Sequence, residues 1–184
     1  MRIVSGTHKG RSIMAPKNLP VRPTTDIAKE ALFNIFNNHF DLSEVNALDL
    51  FCGTGNISYE FASRGVKKII SVDGNYNCFV FVKKIILELD FPQIHPVKSD
   101  AFGFLKNSLE KFDIIFADPP FEMKGAERIP ELVFEKQLLN ENGWLIVEHA
   151  SEKKFFGHAF LQEVRSYGKV NFSIFGMKNT ETSE

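Results

Sequence analysis

The sequence predicts a doubly wound α/β fold around a mostly parallel, seven-stranded sheet, and three observations lead there. Short apolar runs alternate with longer stretches of helical period through the body of the chain. The first of those runs ends in a glycine turn, LFCGTGN, where a strand can pass into a helix. The last segment, FLQEVRSYGKVNFSIFGM, reads as two strands meeting at Tyr167-Gly168. Strand–helix alternation implies parallel strands joined by right-handed crossovers, and the final hairpin adds an antiparallel edge.

The elements follow in order. Residues 1–24 carry three prolines and two glycines and form an arm with short β-like pieces such as Arg2–Ser5. Thr25 caps a helix whose apolar positions are Ile27, Ala31, Leu32, Ile35 and Phe36. ALDLF (47–51) is a strand and NISYEFASRG (56–65) a helix closed by glycine; KKIISVD (67–73) is a strand and YNCFVFVKKIILELD (76–90) a helix. QIHPVKSD (93–100) is a short strand, AFGFLKNSLE (101–110) a helical stretch and FDIIFAD (112–118) a strand. Glu127–Leu139 is helical, GWLIVEH (143–149) is a strand, and the hairpin occupies 160–177. The expected organisation is an arm (1–24), one domain (25–177) and a disordered tail (178–184).

Composition narrows the class. The 184 residues suit one domain, and 43% hydrophobic with 24% charged residues suits a globular chain with an adequate core. Most of the 19 phenylalanines belong to that core. No apolar run approaches the roughly 20 residues that cross a bilayer, and MRIVSGTHKGR lacks a signal-peptide core. Cys52 and Cys78 are too few for a disulfide framework or a zinc site. The expectation is a cytoplasmic, metal-free protein with no membrane contact, and nothing demands more than a monomer. Net charge is −1, but residues 1–29 hold six Lys/Arg (Arg2, Lys9, Arg11, Lys17, Arg22, Lys29) against one acid, Asp26. Such a basic arm is either a solvated tail or a nucleic-acid contact.

In a doubly wound sheet, ligands bind beyond the carboxyl ends of the strands. Gly53 and Gly55 permit a tight turn there and let a ligand approach the backbone. Ser58 stands where the dinucleotide fingerprint wants its third glycine, which weakens a nicotinamide reading. Asp49, just inside the first strand end, repels phosphate and attracts a cation, so S-adenosylmethionine, with its ammonium and sulfonium groups, suits it better. Its alternative role is to hold nearby backbone amides. Asp73 ends the second strand, where a carboxylate can accept both ribose hydroxyls. After the third strand, Asp100-Ala101-Phe102 can accept an adenine amine and line its ring, or Asp100 can simply cap a helix.

The fourth strand stops at Asp118-Pro119-Pro120-Phe121. Two prolines cannot continue a sheet, so a tight turn is the plainest reading. A base amine, however, is a poor nucleophile because its lone pair is delocalised into the ring. The Asp118 carboxylate and the Pro119 carbonyl can each accept one of its N–H groups, turning the lone pair toward an electrophilic methyl. Pro120 helps fix the carbonyl, and Phe121 offers a face on which a flipped-out base stacks.

These stretches together resemble the bacterial 16S rRNA guanine-N2 methyltransferases of the RsmD type. The resemblance runs through RIVSGTHKGR, RPTTDIAKEALFNIF, LDLFCGTGNISYEFASRG, FDIIFADPPF, IVEH and YGKVNFSIF, and so covers most of the chain. It implies an S-adenosylmethionine-dependent, Rossmann-like methyltransferase acting on one guanine of small-subunit rRNA, within an assembled or assembling subunit. By the same resemblance Asp49, Phe51, Gly53, Gly55, Asp73 and Asp100 to Phe102 hold the cofactor, and Asp118 to Phe121 hold the base. Arg2, Lys9, Arg11, Arg22 and Thr24, beside Pro23, belong to the RNA-facing arm. Ser5, Lys29 and Phe121 depart from that pattern, which commonly has glycine, arginine and tyrosine there. Two alternatives stay open: an amino-methyltransferase of adenine or cytosine in DNA or another RNA, and a non-catalytic adenosine-binding module. A nicotinamide oxidoreductase is disfavoured by the missing third glycine and the want of an evident proton relay. Glu148, ending the fifth strand at the crevice edge, is either a structural hydrogen-bond partner or a substrate contact.

Overall fold

The structure is a computed structural model that describes residues 1–16, 19, 25–150, 155 and 157–177. Arg22, Pro23, Thr24 and the tail 178–184 lie outside the described residues. Five parallel strands form first: β1 (Asn46–Leu50), β2 (Lys68–Asp73), β3 (Ile94–Lys98), β4 (Phe112–Ala117) and β5 (Leu139–Ala150). The hairpin β6 (Leu161–Tyr167) and β7 (Val170–Phe175) completes the sheet in the order β3-β2-β1-β4-β5-β7-β6, with β7 antiparallel to both neighbours. The chain leaves β1 toward β2 and β3, then returns to β4 on the other side of β1. That reversal opens a crevice at the carboxyl ends of β1 and β4.

Helices cover both faces, so the central strands are apolar on both sides. One face carries α1 (Asp26–Asn37), α2 (Asn56–Ser63) and α3 (Tyr76–Leu89), with Phe33, Phe36 and Phe61 packed ring against ring. The other carries α4 (Ala101–Asn107) and α5 (Arg128–Glu135), which bury Leu105, Ile129 and Val133. Each such side chain contributes about 1.5–3 kcal/mol when fully buried. Caps set the helix starts. Thr25 Oγ1 accepts from the Ala28 amide at 3.3 Å, Asn75 Oδ1 from the Asn77 amide at 2.8 Å, and Asp100 Oδ1 from the Gly103 amide at 2.8 Å.

Three sequence expectations change. α5 ends at Glu135, short of the Leu139 to which the sequence carries that helix. α1 buries Ala28, Lys29, Leu32, Phe33, Ile35 and Phe36, while Ile27 is 78% exposed. The apolar stripe is therefore rotated from the expected one, because Lys29 is drawn inward by an ion pair. β5 begins at Leu139 rather than 143, since Leu139 pairs with Phe112 before a bulge shifts the register.

The first sixteen residues share the core of the body instead of standing off it. Ile3 and Ile13 are buried, Arg2 and Ser12 form an antiparallel bridge, and the loop between them sits on the last turn of α2. The Thr7 amide donates to the Ser63 carbonyl at 2.7 Å, and the His8 amide to Ser63 Oγ at 2.9 Å. Gly6 (φ +82°) is obligatory, because a β-carbon there would stand 1.8 Å from the Ser63 carbonyl oxygen. Glu60 locks the arrangement. Its fully buried carboxylate accepts the Val4 and Ser5 amides at 2.7 and 3.0 Å and Arg64 Nε at 2.8 Å, with Lys29 Nζ at 3.6 Å. Lys29 also donates to the Arg2 carbonyl and, at 2.9 Å, to Asn56 Oδ1. Burial lowers the Lys29 pKa although the Glu60 charge opposes that. Lys29 is thus a structural tie between α1, α2 and the arm, and makes no outward contact with phosphate.

Candidate active site

Sheet register decides which side chains meet in the crevice. Residues paired across neighbouring strands share a face, and so do residues two apart along a strand. Asp49 pairs with Ser71 and Phe116, which puts it on the face of Asp73, two residues beyond Ser71, and of Asp118, two beyond Phe116. Phe116 pairs with Ile146, which adds Glu148 two residues on. All four carboxylates line one cavity of about 510 Å³ at the mouth of β1 and β4, a volume suited to a cofactor-sized ligand. Phe51, Ile57, Phe116 and Cys78 supply apolar wall, and Lys169 is the lysine on its lining. Four carboxylates in a partly apolar cavity repel phosphate and favour cations and N–H donors.

Asp49 is 1% exposed and accepts a hydrogen bond from Ser58 Oγ at 2.5 Å; Ser58 in turn meets Ser71 Oγ at 2.7 Å. Burial raises the Asp49 pKa to about 7, helped by the Asp73 charge and opposed by the Ser58 hydrogen bond. Here lies the reason for serine at position 58. Its hydroxyl holds the carboxylate that a glycine would leave bare.

The turn after β1 is strained where it meets the cavity. Phe51 has φ +70° and Gly53 φ +54°, and both line the crevice. A left-handed phenylalanine is uncommon and costs on the order of 1 kcal/mol or more, a feature concentrated at functional turns. Asp73 braces this turn: its Oδ2 accepts the Gly53 amide at 2.8 Å and its Oδ1 the Asn75 amide at 2.7 Å. Each oxygen keeps a further lone pair for a ligand hydroxyl. Gly55 (φ +81°) lies off the cavity lining; a β-carbon there would be 2.5 Å from the Tyr59 ring, so that ring is what demands glycine.

Beyond β4, Asp118, Pro119, Pro120 and Phe121 all line the cavity, and Phe121 is 46% exposed at its rim. The Asp118 amide donates to the Leu50 carbonyl at 3.4 Å, tying the turn to β1. The Asp118 pKa is raised well above the usual carboxylate range, chiefly by burial, then by the charges of Glu148 and Asp49. Glu148 is 4% exposed.

Asp100, Ala101 and Phe102 stand apart from this cavity lining, and Asp100 is the N-cap of α4. Arg2, Lys9 and Arg11 are exposed on the docked arm, Arg2 paired with Asp26 at 3.1 Å. Sequence reasoning missed Thr25, Asn56, Asn75 and Lys169 on the lining. Asn75, two residues past Asp73, was the most accessible of these, as a polar cap at a strand end. Lys169 enters because β7 folds back beside β5, bringing the β6–β7 turn over the crevice. Among the described residues no cluster could hold a metal ion, and no helix is long and apolar enough to cross a membrane.

The chain is similar to known proteins over nearly its whole length. The Haemophilus influenzae ribosomal RNA small subunit methyltransferase D is 31% identical, over 83% of this chain and 80% of that one. The protein of the same name from Escherichia coli K12 is 30% identical, over 80% of this chain and 71% of its own. A solved hypothetical protein of Thermus thermophilus superposes with a TM-score of 0.85, covering 96% of this chain and 99% of the other, at 22% identity. A family described as conserved hypothetical protein 95 matches residues 1–176. The match and the two 30–31% relatives together mean that this chain belongs to the conserved hypothetical protein 95 family, alongside the ribosomal RNA small subunit methyltransferases D.

Proposed function

We propose that this protein transfers a methyl group from S-adenosylmethionine to the exocyclic N2 amine of a flipped-out guanine in small-subunit ribosomal RNA, in an assembled or assembling subunit. The observation that carries the reading is Asp118, a buried carboxylate with a raised pKa, set between a row of cofactor-side acids and the half-exposed ring of Phe121.

The residues present fit the cofactor. Burial without a cationic partner brings the Asp49 pKa to about 7, a state that a cationic ligand relieves. Asp73 has oxygens positioned at the glycine turn for ribose hydroxyls, and Phe51, Ile57 and Cys78 give apolar surface for a ring. S-adenosylmethionine supplies an electrophilic methyl on a sulfonium. On the other side, Phe121 stacks the base, and the acidic cavity admits the base edge while its charge keeps phosphates outside. Asp118 accepts one N–H of the amine and, as nitrogen gains the methyl, takes the proton that nitrogen loses. A raised pKa makes it a stronger base than an exposed aspartate. Lys9 and Arg11, exposed on the arm, supply phosphate contacts outside the cavity.

Tritium transfer from methyl-labelled S-adenosylmethionine to small-subunit rRNA, followed by digestion to nucleosides, tests the proposal. Label in N2-methylguanosine is the expected result. Label in methylated adenosine or cytidine would move the chain to another amine, and cofactor binding without transfer to any nucleic acid would make it a binding module.

A further inference from the structure

We propose that Glu148 is the residue that selects guanine, by accepting the N1–H of the base while Asp118 accepts the neighbouring N2–H; this rests on the function proposed above. Asp118 lies one residue past the Ala117–Val147 pair of β4 and β5, and Glu148 lies one residue past its other half. Their strands are about 4.8 Å apart, and their side chains share a face. Both line the same cavity, and Glu148 is almost wholly withdrawn from bulk solvent. The Glu148 charge is felt at Asp118 strongly enough to help raise its pKa, as closeness requires.

The chemistry of the base edges does the rest. All three amine-bearing bases offer a target amine to Asp118, but the ring nitrogen beside that amine differs. In guanine N1 carries a hydrogen, whereas N1 of adenine and N3 of cytosine are bare acceptors. A carboxylate opposite N1–H gains a charge-assisted hydrogen bond. Opposite a bare ring nitrogen it meets a lone pair, at a carboxylate almost wholly withdrawn from solvent. Two acceptors side by side therefore match a donor–donor edge, and guanine has one. Asp118 alone would serve any of the amines; the second carboxylate narrows the choice.

The test compares guanine with 2-aminopurine at the labelled position of a synthetic rRNA fragment. The analogue keeps the exocyclic amine but has a bare N1. Wild type and Glu148→Gln are assayed for kcat/KM on both fragments, with cofactor affinity measured by calorimetry as the check on folding. Glutamine can donate to a bare N1, so the guanine preference of the wild type falls by about 10- to 100-fold in the variant. Glu148→Asp, which keeps the charge, retains the preference even where its rate is lower, and carries the test if the glutamine variant does not fold. Equal losses on both fragments would show that Glu148 supports structure only, and no change on either would remove it from the base edge. A wild type that labels no guanine at all would overturn the proposed function itself, and this inference with it.

Discussion

Replacing Asp49 with asparagine stabilises the protein, and increasingly so as pH rises. Asp49 is almost wholly buried, and its pKa of about 7 stands far above the ordinary value of 3.8. The folded state therefore keeps a proton that the unfolded chain releases first. Stability is lost as pH climbs from the unfolded value through the folded one. Between about pH 5 and about pH 8 this loss covers about two pKa units, which at about 1.36 kcal/mol each is about 3 kcal/mol. Asparagine retains an oxygen for the Ser58 hydroxyl and has no charge to desolvate. Asp118, whose pKa is raised partly by Asp49, is relieved in the same direction. The stability gap between variant and wild type should widen by roughly 2–3 kcal/mol over that interval, or about 4–12 °C in Tm for a chain of this length. Urea unfolding of both proteins without cofactor, at the two pH values, measures it, and taking the difference removes the titration of other groups. A gap that stays constant or shrinks with rising pH would refute the reasoning. The same substitution should weaken S-adenosylmethionine binding, because the cation loses its buried counter-charge.

Asp118→Ala should lose about 10²–10⁴-fold in methyl transfer while cofactor affinity by calorimetry persists; wild-type turnover would reduce the Asp-Pro-Pro-Phe segment to a turn. The acid limb of kcat/KM against pH should lie well above that of an exposed aspartate and move down in Glu148→Gln, since burial and then Glu148 hold the Asp118 proton. An unmoved limb would mean that another group controls it. Lys29→Met leaves Glu60 buried with Arg64 and two amides but no lysine, so urea unfolding should register a loss of about 3 kcal/mol, and under about 1 would contradict the tie. Lys9→Ala with Arg11→Ala should spare Tm yet flatten the salt dependence of rRNA binding by roughly 1–2 units of slope, whereas an unaltered slope would take those side chains off the RNA.

The sheet was legible in the sequence because strand–helix alternation and the glycine turn are local signals that burial on both faces reinforces. Seven strands, the antiparallel hairpin and the crevice all followed from them. Asp49, Asp73 and the Asp118–Phe121 segment were reachable because strand ends announce themselves by where apolar runs stop. Asp100 shows the limit: it caps α4 through Oδ1, and an aspartate at a strand end is both a preferred helix cap and a possible ligand contact, roles that spacing alone does not separate. The misjudged face of α1 has another cause. Lys29 reads as a surface residue until Glu60, thirty-one positions later, is folded against it. Likewise Lys169 reaches the crevice only through strand order, which places β7 between β5 and β6, whereas Glu148, legible as the end of the fifth strand, meets Asp118 through the β4–β5 pairing.

That strand order leaves the sheet with two outer margins, β3 and β6, and each is blunted in its own way. A free margin is a row of amides and carbonyls on which a strand from another molecule can grow. On β3, Pro96 interrupts the row with a residue that has no amide to offer. On β6, the register slips between Leu161 and Glu163, and the Glu163–Arg165 ion pair at 2.7 Å sets charge along the strand. A second copy therefore finds no continuous template on either side, and the parallel sheet, the slowest kind to pair during folding, is guarded against edge-to-edge aggregation once it has formed.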